Sequence, residues 1–215
     1  MSGSSHTLRT SLSVRSTDSR RTEVIEGERT DWRFRPHFHA GDEIVRVLAG
    51  RARLHLPTSF QDVEAGETVI VPARTIHRFE PLDQDGWAFS SEFQSPLASV
   101  VPPPPAGTRE ALGARARKLL AGRESLQTDV EAIAEACAVS AGYLSRAFRR
   151  ETGTSLHNFH VLLALHKAKD LLKDHAPVVE AALDAGFYDQ AHLTREFVRT
   201  LGMTPGTFRS AWAAA

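Results

Sequence analysis

The chain has few of the features that would place it outside a reducing compartment. Its 215 residues include one cysteine, Cys137, so no intrachain disulfide framework can form. No run of about 18 apolar residues occurs, which excludes a membrane-spanning helix. The first residues lack the apolar core of a secretory signal. A cytoplasmic setting with no membrane partner fits these absences. Net charge is also missing, with 26 basic and 26 acidic residues. Up to Ala106 there are 12 basic and 14 acidic residues, and beyond it 14 and 12. Any binding to a polyanion must therefore come from local placement of arginine rather than from a global field.

What the chain does have is one stretch written twice. Leu144-Ser145-Arg146-Ala147-Phe148 answers Leu193-Thr194-Arg195-Glu196-Phe197, and Gly153 answers Gly202, at an offset of 49. Glu131 and Ala132 answer Glu180 and Ala181 at the same offset. A period of that size marks a duplicated supersecondary unit. In each copy a short apolar-periodic helix is followed by a break and a second helix with a capping residue, Ser140 or Asp189. The second helices carry Leu144, Ala147 and Phe148, or Leu193 and Phe197, on one face. Their other faces show Gly142, Ser145, Arg146, Arg149 and Arg150, or Gln190, Ala191, His192, Arg195 and Arg199.

This pattern is a helix-turn-helix. A guanidinium fork can hold guanine bidentately or grip phosphate, and small residues let a helix lie close to base edges. Two copies with Arg146 and Arg195 in register point to double-stranded DNA. Between them, Leu156 to Lys173 reads as one helix of about 27 Å at about 1.5 Å per residue. One turn of B-DNA is about 34 Å, so such a rod could hold two readers in successive major grooves.

Residues from about 109 to 212 resemble the DNA-binding domain of the AraC/XylS family of transcriptional regulators. The resemblance rests on Ala185-Gly186-Phe187-Tyr188-Asp189-Gln190, Leu193-Thr194-Arg195-Glu196-Phe197, Gly202-Met203-Thr204-Pro205 and Phe208-Arg209, and it covers nearly half the chain. Ala164 departs from the arginine usual in the family's linker helix. Ala191 and His192 stand at positions where the family varies. The resemblance implies base reading by Ser145, Arg146, Gln190, His192 and Arg195, and phosphate contacts from Arg149, Arg150, Thr194 and Arg199. RNA polymerase is a further candidate partner; an activator is expected, though the residues leave activation and repression both open. The family's extra dimerising helices have no room here, so a homodimer would use the surface of the N-terminal domain.

From Glu23 to Phe93 the pattern changes to short strands punctuated by Gly and Pro, which suggests a small barrel or jelly roll. Glu43 to Leu48 and Arg51 to Leu56 read as a hairpin around Ala49-Gly50. Asp62 to Glu67 reads as a turn, and Thr68 to Val71 as a buried strand. His37 and His39 would share a strand face. With Glu43 and His77 they could hold a divalent first-row metal or hydrogen-bond a small-molecule effector in the barrel mouth. His37-Phe38-His39, Glu43 and Gly50, then Gly66, Pro72 and His77, resemble the two motifs of the cupin superfamily, except that Arg74 stands where the second motif commonly has glycine. Arg33, Arg35, Arg46 and Arg53 alternate along strands, and solvated faces account for them best.

The expected fold is α+β in two domains, a cupin-like β-barrel (jelly roll) before an all-α tandem helix-turn-helix domain. The expected boundaries are a flexible arm over 1–21, an effector-sensing domain over 22–95, a Pro-rich linker over 96–107 and the DNA-binding domain over 108–215, with Thr108 capping its first helix and Ala111, Leu112, Leu119 and Leu120 on that helix's apolar face. The expected function is a sequence-specific transcriptional regulator with a small-molecule sensor and no catalytic residue. The rival is a metal-dependent cupin enzyme fused to a DNA-binding domain, using the same His37, His39, Glu43 and His77. A third reading, an adaptor whose barrel binds another protein, predicts no response to metabolites.

Overall fold

The computed structural model describes residues 10–17, 20–30, 34–94, 111–123 and 125–214. The Pro-rich linker, Thr108 and Arg33 lie outside them. Eight strands come first: β1 (Thr10–Thr17), β2 (Arg20–Thr30), β3 (Asp42–Ala49), β4 (Arg51–His55), β5 (Phe60–Glu64), β6 (Thr68–Val71), β7 (Arg78–Pro81) and β8 (Trp87–Gln94). They form two antiparallel sheets, ordered β1-β2-β8-β3-β6 and β5-β4-β7.

Three expectations need correction. Thr10–Thr17, taken as part of a flexible arm, is a strand paired along its length with β2. Leu12 and Val14 pack against the core at every second residue, the alternation that turns a polar-looking segment into a half-buried strand. The β3–β4 connection is not a hairpin, because the two strands belong to different sheets. Gly50 makes that corner with φ +71°, and a Cβ there would lie 2.6 Å from the carbonyl oxygen of Gly86. Asp62, Val63 and Glu64 belong to strand β5 rather than a turn. In addition, β6 is an edge strand with Ile70 half exposed. The sheets meet through a ring stack, with Trp87 of β8 against Phe79 of β7 at 5.2 Å and, within its own strand, against Phe89 at 4.5 Å.

Seven helices follow: α1 (Leu112–Ala121), α2 (Val130–Ala136), α3 (Ala141–Thr152), α4 (Leu156–Lys173), α5 (Val178–Asp184), α6 (Gln190–Leu201) and α7 (Pro205–Ala213). Ser140, Ser155, Asp189 and Thr204 each cap a helix by accepting a backbone N–H of its first turn. Gly153 and Gly202 end the two second helices in the left-handed conformation, which glycine adopts without a Cβ penalty. In α1, Ala111 occupies the N-cap and Leu119 is partly exposed, while Ala116 and Leu120 are buried.

The repeat holds for α3 and α6 at 49 residues but not for the helices before them. Ile133 and Ala134 of α2 are buried where α5 buries Ala181 and Ala182, an offset of 48. The backbone bonds Val139 N to Ala134 O and Phe187 N to Ala182 O repeat at 48 as well. The second turn is thus one residue longer. The surplus residue is Tyr188, 87% exposed.

The two halves share one apolar core. Phe34, Val45 and Phe89 of the sheets join Leu162 and Leu165 of α4, Leu201 of α6, and Phe208 and Trp212 of α7. A second cluster brings Ile76 and Phe38 against Leu120, Phe148 and Phe159. Glu23 on β2 is buried and meets two lysines of α4, Lys169 Nζ at 3.1 Å and Lys173 Nζ at 2.7 Å. Burial disfavours its charge, but the lysines beside it overcome that and hold its pKa below the usual carboxylate range.

Candidate functional sites

His37 and His77 face each other in a two-bond antiparallel bridge, N to O at 2.9 Å and 2.8 Å. Directly opposed residues of such a pair point to the same side. His39, two residues on, joins them, and the candidate ligand nitrogens of the three rings lie within 4.8 Å of one another. Glu43 enters from the start of β3. Its Oε2 lies 2.8 Å from His77 Nε2 and 3.6 Å from His39 Nε2. All four expected residues are buried and come together.

The tautomers follow from the neighbours. His37 Nδ1 is 2.7 Å from Arg35 O, and His77 Nδ1 is 2.9 Å from Thr75 O. A carbonyl can only accept, so both Nδ1 atoms carry hydrogen, and in the neutral rings each Nε2 presents a lone pair. His39 Nε2, Glu43 Oε2 and His77 Nε2 are buried without an aligned hydrogen bond. A lone pair at 2.8 Å from a carboxylate oxygen needs a positive charge between them, either a proton on His77 or a metal ion. Carbonyl bonds to the far ring nitrogen are the usual outer support of metal-bound imidazole. The donor set of three imidazoles and a carboxylate therefore suits a divalent first-row metal, which when bound would supply a Lewis-acidic charge at the centre of the cluster.

Electrostatics agree. Burial and the charge of His77 push the His37 pKa down to about 3. Burial and the other two rings push His39 well below its ordinary value. Burial opposes the charge of His77, but the Glu43 hydrogen bond and charge raise its pKa. Glu43 is lowered because its contact with His77 outweighs its burial.

Residue alternation sends Phe38 the opposite way. Its ring stacks on Phe159 at 5.6 Å and on His166 at 4.5 Å, both on α4. Backbone groups of the same segment are also engaged. Phe38 O accepts from His166 Nε2 at 3.0 Å, and Pro36 O accepts from Asn158 Nδ2 at 3.2 Å. Arg35 reaches α6, where its Nη1 pairs with Glu196 Oε2 at 2.9 Å. Sequence reading missed Glu23, Asn158, His166, Lys169 and Glu196 as interface residues. The one available signal was polar residues on an α4 that is apolar nearly all round. Of the arginines weighed earlier, Arg46 is exposed and Arg53 pairs with Asp62 at 2.6 Å, so neither enters the interior.

On α3, Gly142, Ser145, Arg146, Arg149 and Arg150 are exposed. A Cβ at Gly142 would lie 3.4 Å from Arg146 Nη1, so the missing side chain leaves room for the guanidinium. On α6, Gln190, Ala191, Arg195 and Arg199 are exposed. His192 is partly covered and lies edge-on to Phe187 at 5.2 Å. The Thr194 hydroxyl donates to Gln190 O, and Arg199 Nη1 is tied to Glu196 Oε1 at 3.1 Å. The buried faces of α3 and α6 both rest on α4, the long helix between them.

Residues 133–211 match the model of a helix-turn-helix domain, and residues 22–85 match that of a cupin domain. The chain thus carries an AraC-type helix-turn-helix domain and a cupin domain. The fold of the whole chain is similar to that of ToxT from Vibrio cholerae O395, with a TM-score of 0.58 at 9% identity, covering 90% of this chain and 98% of that one. The C-terminal domain of AraT, a response regulator from Geobacillus stearothermophilus, is 28% identical over 46% of this chain and 84% of its own, with a TM-score of 0.43. A cupin-2 domain protein from Shewanella frigidimarina is 17% identical over 40% of this chain and 79% of its own, with a TM-score of 0.32. No curated protein is similar enough to count as a relative. Among the described residues, no helix is long and apolar enough to cross a membrane.

Two predictions follow from the cluster and its neighbour on α4. Burial and the nearby Lys169 lower the His166 pKa to about 4. The unfolded chain therefore binds the proton more readily than the fold, so this stabilisation is complete above pH ~6.5 and is lost as pH falls toward ~4. By pH 5 the loss amounts to about 2 kcal/mol. His166→Gln keeps the donor to Phe38 O and should flatten the loss of melting temperature between pH 7 and pH 5; an unchanged slope would contradict the assignment. Separately, a divalent metal at about 100 times its Kd should stabilise the protein by about 2.7 kcal/mol. A thermal melt with Mn2+, Ni2+ or Zn2+ should show the rise, and His77→Ala should abolish it.

Proposed function

We propose that the cupin domain senses a small molecule and biases how the tandem helix-turn-helix engages a promoter. The observation that carries this reading is the double use of residues 34–39. Their histidines belong to the buried cluster, while Arg35, Pro36 and Phe38 are bonded to or stacked on α4 and α6. A change in occupancy or protonation at the cluster thus moves a segment that touches the linker helix and one recognition helix directly. A structure of ToxT from Vibrio cholerae strain SCE256 was solved with an unsaturated fatty acid bound, which supports small-molecule sensing in this fold.

In this reading Ser145, Arg146, Gln190, His192 and Arg195 read bases, with Gly142 and Ala191 admitting the helices to the groove. Arg149, Arg150, Thr194 and Arg199 hold phosphates. Thr194 and Arg199 reach DNA only by relaxing the bonds they make to Gln190 and Glu196. The metal-dependent enzyme reading is disfavoured by space. The void beside His37, His39 and Glu43 measures 30 Å³, room for about two water molecules, and aromatic rings line it.

The test is DNA binding by substitution. On a site selected from random DNA, Arg146→Ala should cost about 1–3 kcal/mol and relax preference at one base pair. Arg150→Ala should weaken specific and random DNA alike and lower the salt slope by about 1. Identical behaviour of the two variants would refute the division of roles. Absence of DNA binding by the wild type would refute the regulator reading.

A further inference from the structure

The two recognition helices carry their arginines in register but with different neighbours. Arg150 of α3 answers Arg199 of α6 at the offset of 49, and Ala147 answers Glu196. Arg150 makes no ion pair among the described residues, whereas Arg199 Nη1 lies 3.1 Å from Glu196 Oε1. The carboxylate is therefore peculiar to the second reader. Its side chain is 10% exposed, against 49% for that of Arg199. A second guanidinium takes its other oxygen, with Arg35 Nη1 2.9 Å from Glu196 Oε2. Arg35 belongs to the segment before β3, in the cupin half, and its backbone N–H reaches Arg199 O at 3.4 Å. Two more contacts seat the same end of α6 on the sheets. The Thr10 hydroxyl donates to Gly202 O, and a Cβ at Gly202 would lie 3.2 Å from the Phe34 ring.

Arg195 and Arg199 are four residues apart and share a face of the helix. Arg195 stands where bases are read, so Arg199, one turn farther along, meets the phosphates beside the groove. To do so its guanidinium must leave Glu196. A largely buried carboxylate stripped of its cation is costly, and here it would also stand near phosphates that repel it. In this chain it is not stripped, because Arg35 stays on the other oxygen. The cupin half thus supplies the counter-charge that releases a DNA-contacting arginine.

We infer that Arg35 and Glu196 are positioning residues for DNA binding. Arg35 holds the charge of Glu196 when Arg199 swings to phosphate, so the grip of α6, and not that of α3, depends on where residues 34–39 lie. The inference rests on the DNA-binding reading proposed above and gives the coupling a sign. With Arg35 in place the second reader is competent. With Arg35 drawn away, the carboxylate keeps Arg199 for itself and α6 loses a phosphate contact. The first reader has Ala147 at the matching place, so Arg150 is available to DNA in either state. His37 Nδ1 is bonded to Arg35 O at 2.7 Å, so a displacement at the histidine cluster reaches this guanidinium within one residue.

The experiment is equilibrium binding of the full chain to a site selected from random DNA, read by fluorescence anisotropy over a range of salt, with the melting temperature of each variant recorded. Arg35→Gln removes the counter-charge and should weaken binding about tenfold. It should also lower the salt slope by about 1, the signature of one lost phosphate contact. Arg199→Gln should show the same loss, and adding Arg35→Gln to it should weaken binding no further. Glu196→Gln keeps the shape and an acceptor but removes the charge. It should bind at least as tightly as the wild type, and Arg35→Gln should have no effect when combined with it. Arg35→Lys retains a cation and should lose less than Arg35→Gln. If Arg35→Gln melts early, Arg35→Met keeps the aliphatic stem and carries the same expectation. A merely structural role would lower the melting temperature without this pattern. A general field of positive charge would make Arg35→Gln equally harmful with and without Glu196→Gln. Either result, or unchanged affinity in Arg35→Gln, overturns the inference. DNA binding that ignores Arg35 removes only this coupling, whereas a wild type that binds no DNA removes the regulator reading beneath it.

Discussion

Six consecutive residues, 34–39, face two ways at once, and the rest of the molecule is arranged around that fact. Strand-like alternation puts His37 and His39 into the sheet interior with Glu43 and His77. The same alternation leaves Phe38 to stack on α4, while Arg35, just before the bridged residue, reaches Glu196 on α6. Nothing in this stretch can rotate independently. The backbone bond pair between His37 and His77 fixes one side, and the carbonyls of Pro36 and Phe38 are held by Asn158 and His166 on the other.

This constraint explains why the two halves do not behave as beads on a string. Domains within a chain move relative to one another unless their interface is large and apolar. Here the core is continuous across the boundary, from Phe34 and Val45 to Leu165, Leu201 and Phe208. The buried Glu23 between Lys169 and Lys173 adds specificity rather than raw stability, since a buried ion pair gains little over apolar packing but is costly to break. The recognition helices are thus presented by a body that includes the sheets.

The helical half was legible because its signals are local. Ser140 and Asp189 cap as expected, Leu156–Lys173 is one helix, and the left-handed ends fall at the paired Gly153 and Gly202. His37, His39 and Glu43 were legible because a period of two and a spacing of four are also local, whereas His77 was legible only through the resemblance of Gly66, Pro72 and His77 to the second cupin motif. What escaped reading depends on distant partners. The strand Thr10–Thr17 looks polar and is fixed by β2 and α7. Gly50 looks like a hairpin turn but serves as a corner between sheets. Glu196 looks like a solvated helix residue, yet it is buried under Arg35, 161 positions away. The extra turn residue, Tyr188, escaped because Glu131 and Ala132 match Glu180 and Ala181 in letters, whereas burial pairs Ile133 and Ala134 with Ala181 and Ala182.

The central claim is that the sheets and the helices unfold as one body, and scanning calorimetry of the full chain tests it most directly. One transition is predicted, with calorimetric and van't Hoff enthalpies equal, and breaking the interface by Glu23→Ala should lower that single transition as a whole. Two resolved transitions, only one of which moves with Glu23→Ala, would contradict the account.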